Sequence, residues 1–171
     1  NPMIISIRSG AIFKMPGCMA TVGNVGINQK MVEGVLSRDE NGVFDESLAW
    51  TAWDSYRRFI EDWGISIYGM KHLTFDRIFN THKALHPPDG TARRIRKREL
   101  SWEAMRDIAL EYKIAVEKYS GESIPEDAYK QLESIVRAVR RSWGYQDDLQ
   151  HDSAARNYRR NILGVSDNWP G

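Results

Sequence analysis

Between Ala49 and Trp63, large apolar side chains return at every third or fourth position: Ala49, Trp53, Tyr56, Phe59, Ile60 and Trp63. This spacing follows the 3.6-residue helical turn and puts all six on one face. A stripe with that much aromatic bulk has to be covered, so the chain is constrained to fold as packed helices. The same period returns twice. Trp102, Met105, Ile108, Ala109, Tyr112, Val116 and Tyr119 form a second face, with Ser101 as N-cap and Gly121 just past the end. Leu132, Ile135, Val136, Val139 and Trp143 form a third, closed by Gly144. Ahead of it, Ser123-Ile124-Pro125-Glu126 has capping-box spacing and places proline inside a helix start. Gly64 is one stop for the first helix, and continued packing through Ile65 to Tyr68 is the alternative. A shorter helix is expected from Thr74 to Leu85, broken by Pro87-Pro88-Asp89-Gly90. A last one is expected from Asp152 to Leu163.

Residues 1–44 read differently. They carry scattered glycines and no helix period. Met3 to Ile7 is an isoleucine-rich run, read as a buried strand. Arg38-Asp39-Glu40-Asn41-Gly42 is a polar turn. The chain is therefore expected to be α+β, with residues 1–44 a strand-and-loop region and residues 45–171 a helical subdomain. A length of 171 residues suits one medium domain, or one domain with a subdomain.

Bulk properties exclude some function classes. The formal charge of +1 gives no global field towards nucleic acid or membrane. No run of about 18 apolar residues predicts a membrane span. Cys18 is the only cysteine, so no intrachain disulfide or cysteine-rich zinc site can form, and a reducing, cytoplasmic setting is expected. The chain opens on Asn1-Pro2 and enters a strand at once, which reads as a piece of a longer protein.

The chemistry concentrates after the first strand. Arg8-Ser9-Gly10 follows it directly, and Gly10, Gly17, Gly23 and Gly26 supply a permissive backbone. A guanidinium fork matches phosphate oxygens, and glycine lets backbone N–H groups come close. The plainer alternative is an Arg8 ion pair with glycines serving only as turns. Arg93, Arg94, Arg96, Lys97 and Arg98 form a basic run, joined in charge by Arg137, Arg140 and Arg141. Helix solvation or docking to a partner domain accounts for it better than nucleic acid, because no recognition motif accompanies it. His72, His82, His86 and His151 have no partners at metal spacing. Asp147-Asp148 reads as a solvated acidic loop rather than a metal site. The six tryptophans read as core.

The order of residues says more. "IRSGAIFKMPGCMATVGNVGIN" resembles the nucleotide-binding domain of the pyruvate phosphate dikinase family, which carries Val-Arg-Ser-Gly-Ala, then Ser-Met-Pro-Gly-Met-Met-Asp-Thr, then Leu-Asn-Leu-Gly-Leu-Asn. The matching residues are Arg8-Ser9-Gly10-Ala11, Met15-Pro16-Gly17, Met19, Thr21 and Asn24-Val25-Gly26-Ile27-Asn28. "AWDSYRRFIEDWG" is similar to the family's Asp-Ser-Tyr-Arg-Arg-Phe-Ile helix. "YSGESIPEDAYKQLESIVRAVRRSW" is similar to its Gly-x-x-Phe-Pro, Gln-Leu and Ala-Val-x-x-Ser-Trp segment. "NYRRNILGVSDNWPG" is similar to its Tyr-Arg-Arg-x-Asn … Asp-Trp-Gly. The resemblance spans nearly the whole chain, and the Arg-Ser-Gly with the Met-Pro-Gly loop is its specific part.

The resemblance implies an ATP-grasp fold that binds ATP with Mg²⁺. It implies a phosphate-binding role for Arg8, Ser9, Gly10, Met15, Gly17, Met19 and Thr21, with no catalytic residue or metal ligand in this chain. The family transfers a phosphoryl group from ATP to a histidine on a swivelling domain and on to pyruvate, giving AMP, pyrophosphate and phosphoenolpyruvate. The lysine and the Mg²⁺ carboxylates it needs lie upstream and downstream of the matching region. The accepting histidine has a Thr-Ser-His context that none of the four histidines shares. The partners implied are ATP and the other domains of a parent enzyme, the fragment alone being incomplete. Departures are Cys18 for methionine, Ala20 for aspartate and Lys14 for a small polar residue, and residues 144–152 run longer than the family's connection. Ala20 motivates the rival expectation, a degenerate or regulatory relative. A helical interaction module using the basic face is the other.

Overall fold

A computed structural model of the chain describes residues 3–10, 14–15, 17–85, 95–144 and 153–165. The expected breaker at 87–90, Arg93, Arg94, His86, the Asp147-Asp148 loop and His151 lie outside them, as do Ala11, Pro16 and the final Trp169-Pro170-Gly171.

The described chain is mostly helical with one small sheet, in keeping with α+β. Strands β1 (Ile5–Arg8) and β2 (Thr21–Val25) pair antiparallel. A short helix α1 (Gln29–Met31) runs into a wider π-turn, Val32–Leu36. Then come α2 (Glu46–Tyr68), α3 (His72–Leu85), a 3₁₀ turn at Lys97–Glu99, α4 (Trp102–Ser120), α5 (Ala128–Trp143) and α6 (Ala154–Tyr158), which continues as a π-turn through Leu163. Among the described residues, no helix is long and apolar enough to cross a membrane.

α2 is the spine. Its predicted stripe is buried throughout: Ala49, Trp53, Tyr56, Phe59, Ile60 and Trp63 are each at most 3% exposed. α4 packs along it through Met105, Ile108, Ala109, Tyr112 and Val116. Val22, Val25 and Ile27 from the β2 region and Ile135 from α5 join the same core. Ser101 caps α4 by accepting from the Ala104 N–H at 3.2 Å, and Gly121 and Gly144 end α4 and α5 in left-handed conformations.

Several expectations are corrected. Gly64 does not stop α2. The helix runs on to Tyr68, with Asp45 as N-cap and Gly69 as C-cap. A Cβ on Gly64 would lie 2.8 Å from Phe75 Cζ and 3.0 Å from both Met70 Sδ and Val116 Cγ2, so this glycine is there for close packing. The Ser123–Glu126 spacing is not used as a capping box. α5 begins later, capped by Asp127, whose carboxylate accepts from the Lys130 N–H at 2.9 Å. On α5, Val136 is half exposed, and Gln131 and Ala138 take the buried positions beside Ile135. Tyr119 lies on the exposed side of the last turn of α4. β1 is not a buried strand: Met3 and Ile5 are exposed, and only Ile4 and Ile7 of this run pack against the core, each partly buried. Residues 1–44, read as lacking a helix, contain the helical turns at 29–36, started by Asn28, whose Oδ1 accepts from the Met31 N–H at 2.9 Å.

Candidate functional site: the loop between β1 and β2

The sheet brings the two ends of the candidate loop together. Arg8 and Thr21 are direct cross-strand partners, so the segment between them starts and ends at neighbouring points of the sheet. Arg8, Gly10, Gly17 and Thr21 are exposed, while Ser9, Met15 and Met19 are half-buried. Gly17 has φ +71°, and the Cys18 N–H donates to the Met15 carbonyl at 3.3 Å. Among the described residues, no heavy atom lies within 4 Å of where a Cβ would sit on Gly10 or Gly17. Among the described residues, no carboxylate lies within ion-pair distance of Arg8.

β2 is held far more firmly than β1. Between paired positions, β1 advances from Ile5 to Ile7 while β2 advances from Val25 to Val22, so β2 carries one extra residue. Asn24 absorbs it at φ +56°. Strict alternation would turn Val22 and Val25 to opposite faces, since they stand three positions apart. The bulge instead lets both enter the core, at 0% and 2% exposure.

Hydrogen bonds to α2 and α5 then tie this strand in place. The Gly23 N–H donates to Asp62 Oδ2 at 2.9 Å, and Asn24 Nδ2 donates to the Ser55 carbonyl at 3.2 Å. Buried Gln131 makes three bonds: its Oε1 accepts from the Gly26 N–H at 2.8 Å, and its Nε2 donates to the carbonyls of Ile27 at 3.1 Å and Pro125 at 2.7 Å. Gly26 sits at φ +100°, and a Cβ there would strike the Met3 carbonyl oxygen at 2.8 Å, so glycine is required. At the loop's end, the Ala20 N–H donates to Ser142 Oγ at 3.2 Å.

Sequence reasoning does not pick out these anchors as site residues. The signal is present in the matched segments, where Gln131, Ser142 and Asp62 all stand, but nothing in a helical period says that a polar residue on the buried side is reaching for a strand.

Two carboxylates of α2 shift in opposite directions. Burial pushes the Asp62 carboxyl above the ordinary carboxylate range, against the pull of its Gly23 hydrogen bond. Asp54 moves the other way. Burial raises it, but Lys97 at 2.5 Å and Arg57 at 3.0 Å outweigh burial and hold it below the ordinary range. Arg57 also reaches Glu61 at 2.7 Å and lies over the Phe79 and Tyr112 rings. This network spends part of the predicted basic run: Lys97 is committed to Asp54, and Arg137 pairs with Glu133 at 2.6 Å.

Among the described residues, no three His, Cys, Asp or Glu side chains gather where they could hold a metal ion. His82 Nε2 lies 2.6 Å from Glu111 and His72 Nδ1 lies 3.5 Å from Glu61. An open groove of about 400 Å³ lies at the N-terminal ends of α2 and α4 between Trp50, Trp102 and Arg98. Glu46 and Glu103 line it too, which suits it poorly to phosphate, and no predicted site residue reaches it.

No family model matches the chain. Individual relatives do. The chain is 35% identical over 169 residues to the chloroplastic pyruvate, phosphate dikinase of Flaveria trinervia, covering 97% of this chain and 15% of that protein. It is 35% identical over 145 residues to the pyruvate, phosphate dikinase of Rhizobium meliloti, covering 84% and 14%. It is 31% identical over 143 residues to that of Giardia intestinalis, covering 84% and 15%. The chain thus spans about 15% of the length of the relatives it matches. By sequence, the chain is a relative of the pyruvate, phosphate dikinases, matched along nearly all its length to one segment of them.

Proposed function

We propose that this chain is the ATP-binding portion of a pyruvate phosphate dikinase, with the β1–β2 loop facing the nucleotide phosphates. On this reading residues 1–44 form the strand-and-loop part of an ATP-grasp-type lobe, and residues 45–171 its helical subdomain. The observation that carries the reading is the Arg8–Thr21 pair: it brings together the two ends of the segment that holds the residues the family resemblance assigns to phosphate.

Arg8 projects an exposed guanidinium at the loop's mouth, suited to phosphate oxygens and to charge that builds on a transferring phosphoryl group. Ser9, Met15, Met19 and Thr21 line the loop, and Gly10 and Gly17 leave their backbone open to a ligand. Phosphoryl transfer needs mainly positioning and electrostatic stabilisation, and this loop offers both without a nucleophile of its own. Mg²⁺ ligands, the accepting histidine and the partner domains that complete the reaction ATP + phosphate + pyruvate to AMP + pyrophosphate + phosphoenolpyruvate are assigned to other parts of a parent enzyme. The isolated chain is then catalytically incomplete. A reducing compartment, the cytoplasm in the simplest case, fits its one cysteine.

A second reading, a regulatory or degenerate relative, is favoured by Ala20, which stands where the family carries aspartate. One experiment separates the two. In the full-length enzyme, MgATP is expected to protect residues 14–21 from hydrogen exchange. Arg8→Ala is expected to remove that protection and lower phosphotransfer by about 10²-fold or more. Phosphotransfer unchanged by Arg8→Ala removes Arg8 from the site. Loop protection without phosphotransfer in the wild type supports the degenerate relative.

A further inference from the structure

We propose that Ser142 is a positioning residue for the phosphate-facing loop, an inference that rests on the phosphate-binding reading above. Its hydroxyl lies in the last turn of α5 and has both roles fixed. It donates to the Val139 carbonyl at 2.6 Å, which commits its proton. Its oxygen is then turned to accept the Ala20 N–H at 3.2 Å, across 122 residues of chain.

The place of this bond matters more than its strength. Ala20 is the last loop residue before Thr21, and Thr21 is the partner of Arg8. Moving the Ala20 peptide moves the strand end that faces the guanidinium. α5 also holds the other end of the strand region, where Gln131 bonds Gly26 and Ile27. One 16-residue helix therefore fixes β2 at both ends, Gln131 in the buried core and Ser142 at the loop. Asp62 grips Gly23 in between, from α2. Of these anchors, Ser142 is the one joined to the loop itself. It is half-buried and uncharged, so it can be changed without opening a cavity in the core.

The test uses the full-length enzyme and three variants: Ser142→Ala, Ser142→Thr and Arg8→Ala. Threonine keeps a hydroxyl that can bond a carbonyl one turn back, so it serves as the conservative rescue. Loss of one such hydrogen bond is expected to raise KM for ATP by roughly 2- to 10-fold in Ser142→Ala. KM for pyruvate should stay put, Ser142→Thr should restore the ATP value, and the Ala20 amide should exchange faster in the alanine variant. An unchanged ATP KM in Ser142→Ala beside a raised one in Arg8→Ala overturns the inference and leaves the phosphate reading standing. If neither variant alters ATP affinity, the phosphate reading falls and takes this inference with it. If Ser142→Ala raises both KM values, lowers Tm and is not rescued by threonine, Ser142 is merely structural and the inference is wrong.

Discussion

Replacing Gln131 by methionine tests how the loop-bearing strand is held. The two side chains have similar length and volume, so the change removes hydrogen bonds while keeping the packing. Gln131 is 1% exposed and satisfies three backbone groups: the Gly26 N–H, the Ile27 carbonyl and the Pro125 carbonyl. Gly26 and Ile27 are buried, so water cannot easily replace the lost partners there. Each buried group left unsatisfied costs about 1–3 kcal/mol. Two such groups, with a smaller share for the half-buried Pro125, give a loss of about 2–6 kcal/mol before relaxation. We expect about 3 kcal/mol in urea unfolding, seen as a lower midpoint at unchanged slope. Gln131→Glu should also destabilise, because a carboxylate can accept from Gly26 but cannot donate to two carbonyls. A Gln131→Met protein within about 0.5 kcal/mol of wild type, the ordinary scatter of surface changes, would refute the claim that this side chain pins the strand.

Three further outcomes follow from the packing and the charges. Gly64→Ala adds a methyl 2.8 Å from the Phe75 ring, so overpacking of about 1–3 kcal/mol opposes a helix-propensity gain of about 1 kcal/mol. Gly34→Ala, with open space around its Cβ, should only gain; thermal melts that rank Gly64→Ala at or above Gly34→Ala contradict this account. Asp54→Asn should cost about 3 kcal/mol, the low end for a broken buried pair because Glu61 still holds Arg57. The folded-state pKa of Asp54 is depressed, so its contribution is complete above the usual carboxylate pKa of about 4 and is lost as pH falls through the lower folded value. The gap between wild type and Asp54→Asn should therefore close only in acid, and a gap that instead closes on going from pH 5 to pH 8 sinks the assignment. Asp62 has the opposite sign: its folded pKa is raised, so its contribution is present below the usual carboxylate value and lost as pH rises through the folded one. Asp62→Asn keeps an oxygen for the Gly23 N–H and should be at least as stable as wild type at pH 7. Chemical denaturation showing it weaker at pH 7 than at pH 4, each relative to wild type, would reverse that sign.

How much of this is legible in the sequence depends on the range of the interaction. The stripe of α2, the Ser101 cap and the ends of α4 and α5 at Gly121 and Gly144 are readable because each depends on neighbours within one or two turns. Gly64 misleads because glycine has two uses. As a local signal it marks a helix end, but here the approach of Phe75, Met70 and Val116 requires it inside a helix, and those contacts are made by other elements. Val136 misleads for a related reason. A period fits both Val136 and Ala138, and only the neighbouring elements decide which side of α5 is covered. β2 escapes notice because its bulge breaks the alternation that identifies strands, and its extra residue is held in place by Asn24, Asp62 and Gln131.

The candidate site shows the same division more sharply. Arg8 to Thr21 stands out as an ordered string of residues, and the Arg8–Thr21 pairing agrees with that string being one loop. Its geometry, however, is set from outside it, by a serine, a glutamine and an aspartate placed 39 to 122 residues away. None of the three carries a motif of its own. Each is a polar residue on a helix, which by composition alone means solvent. What makes them informative is burial: a polar side chain turned inward has to find a backbone partner, since leaving it unsatisfied costs more than the bond gains. Gln131 meets that demand at Gly26 and Ile27, a segment that only the fold brings beside α5.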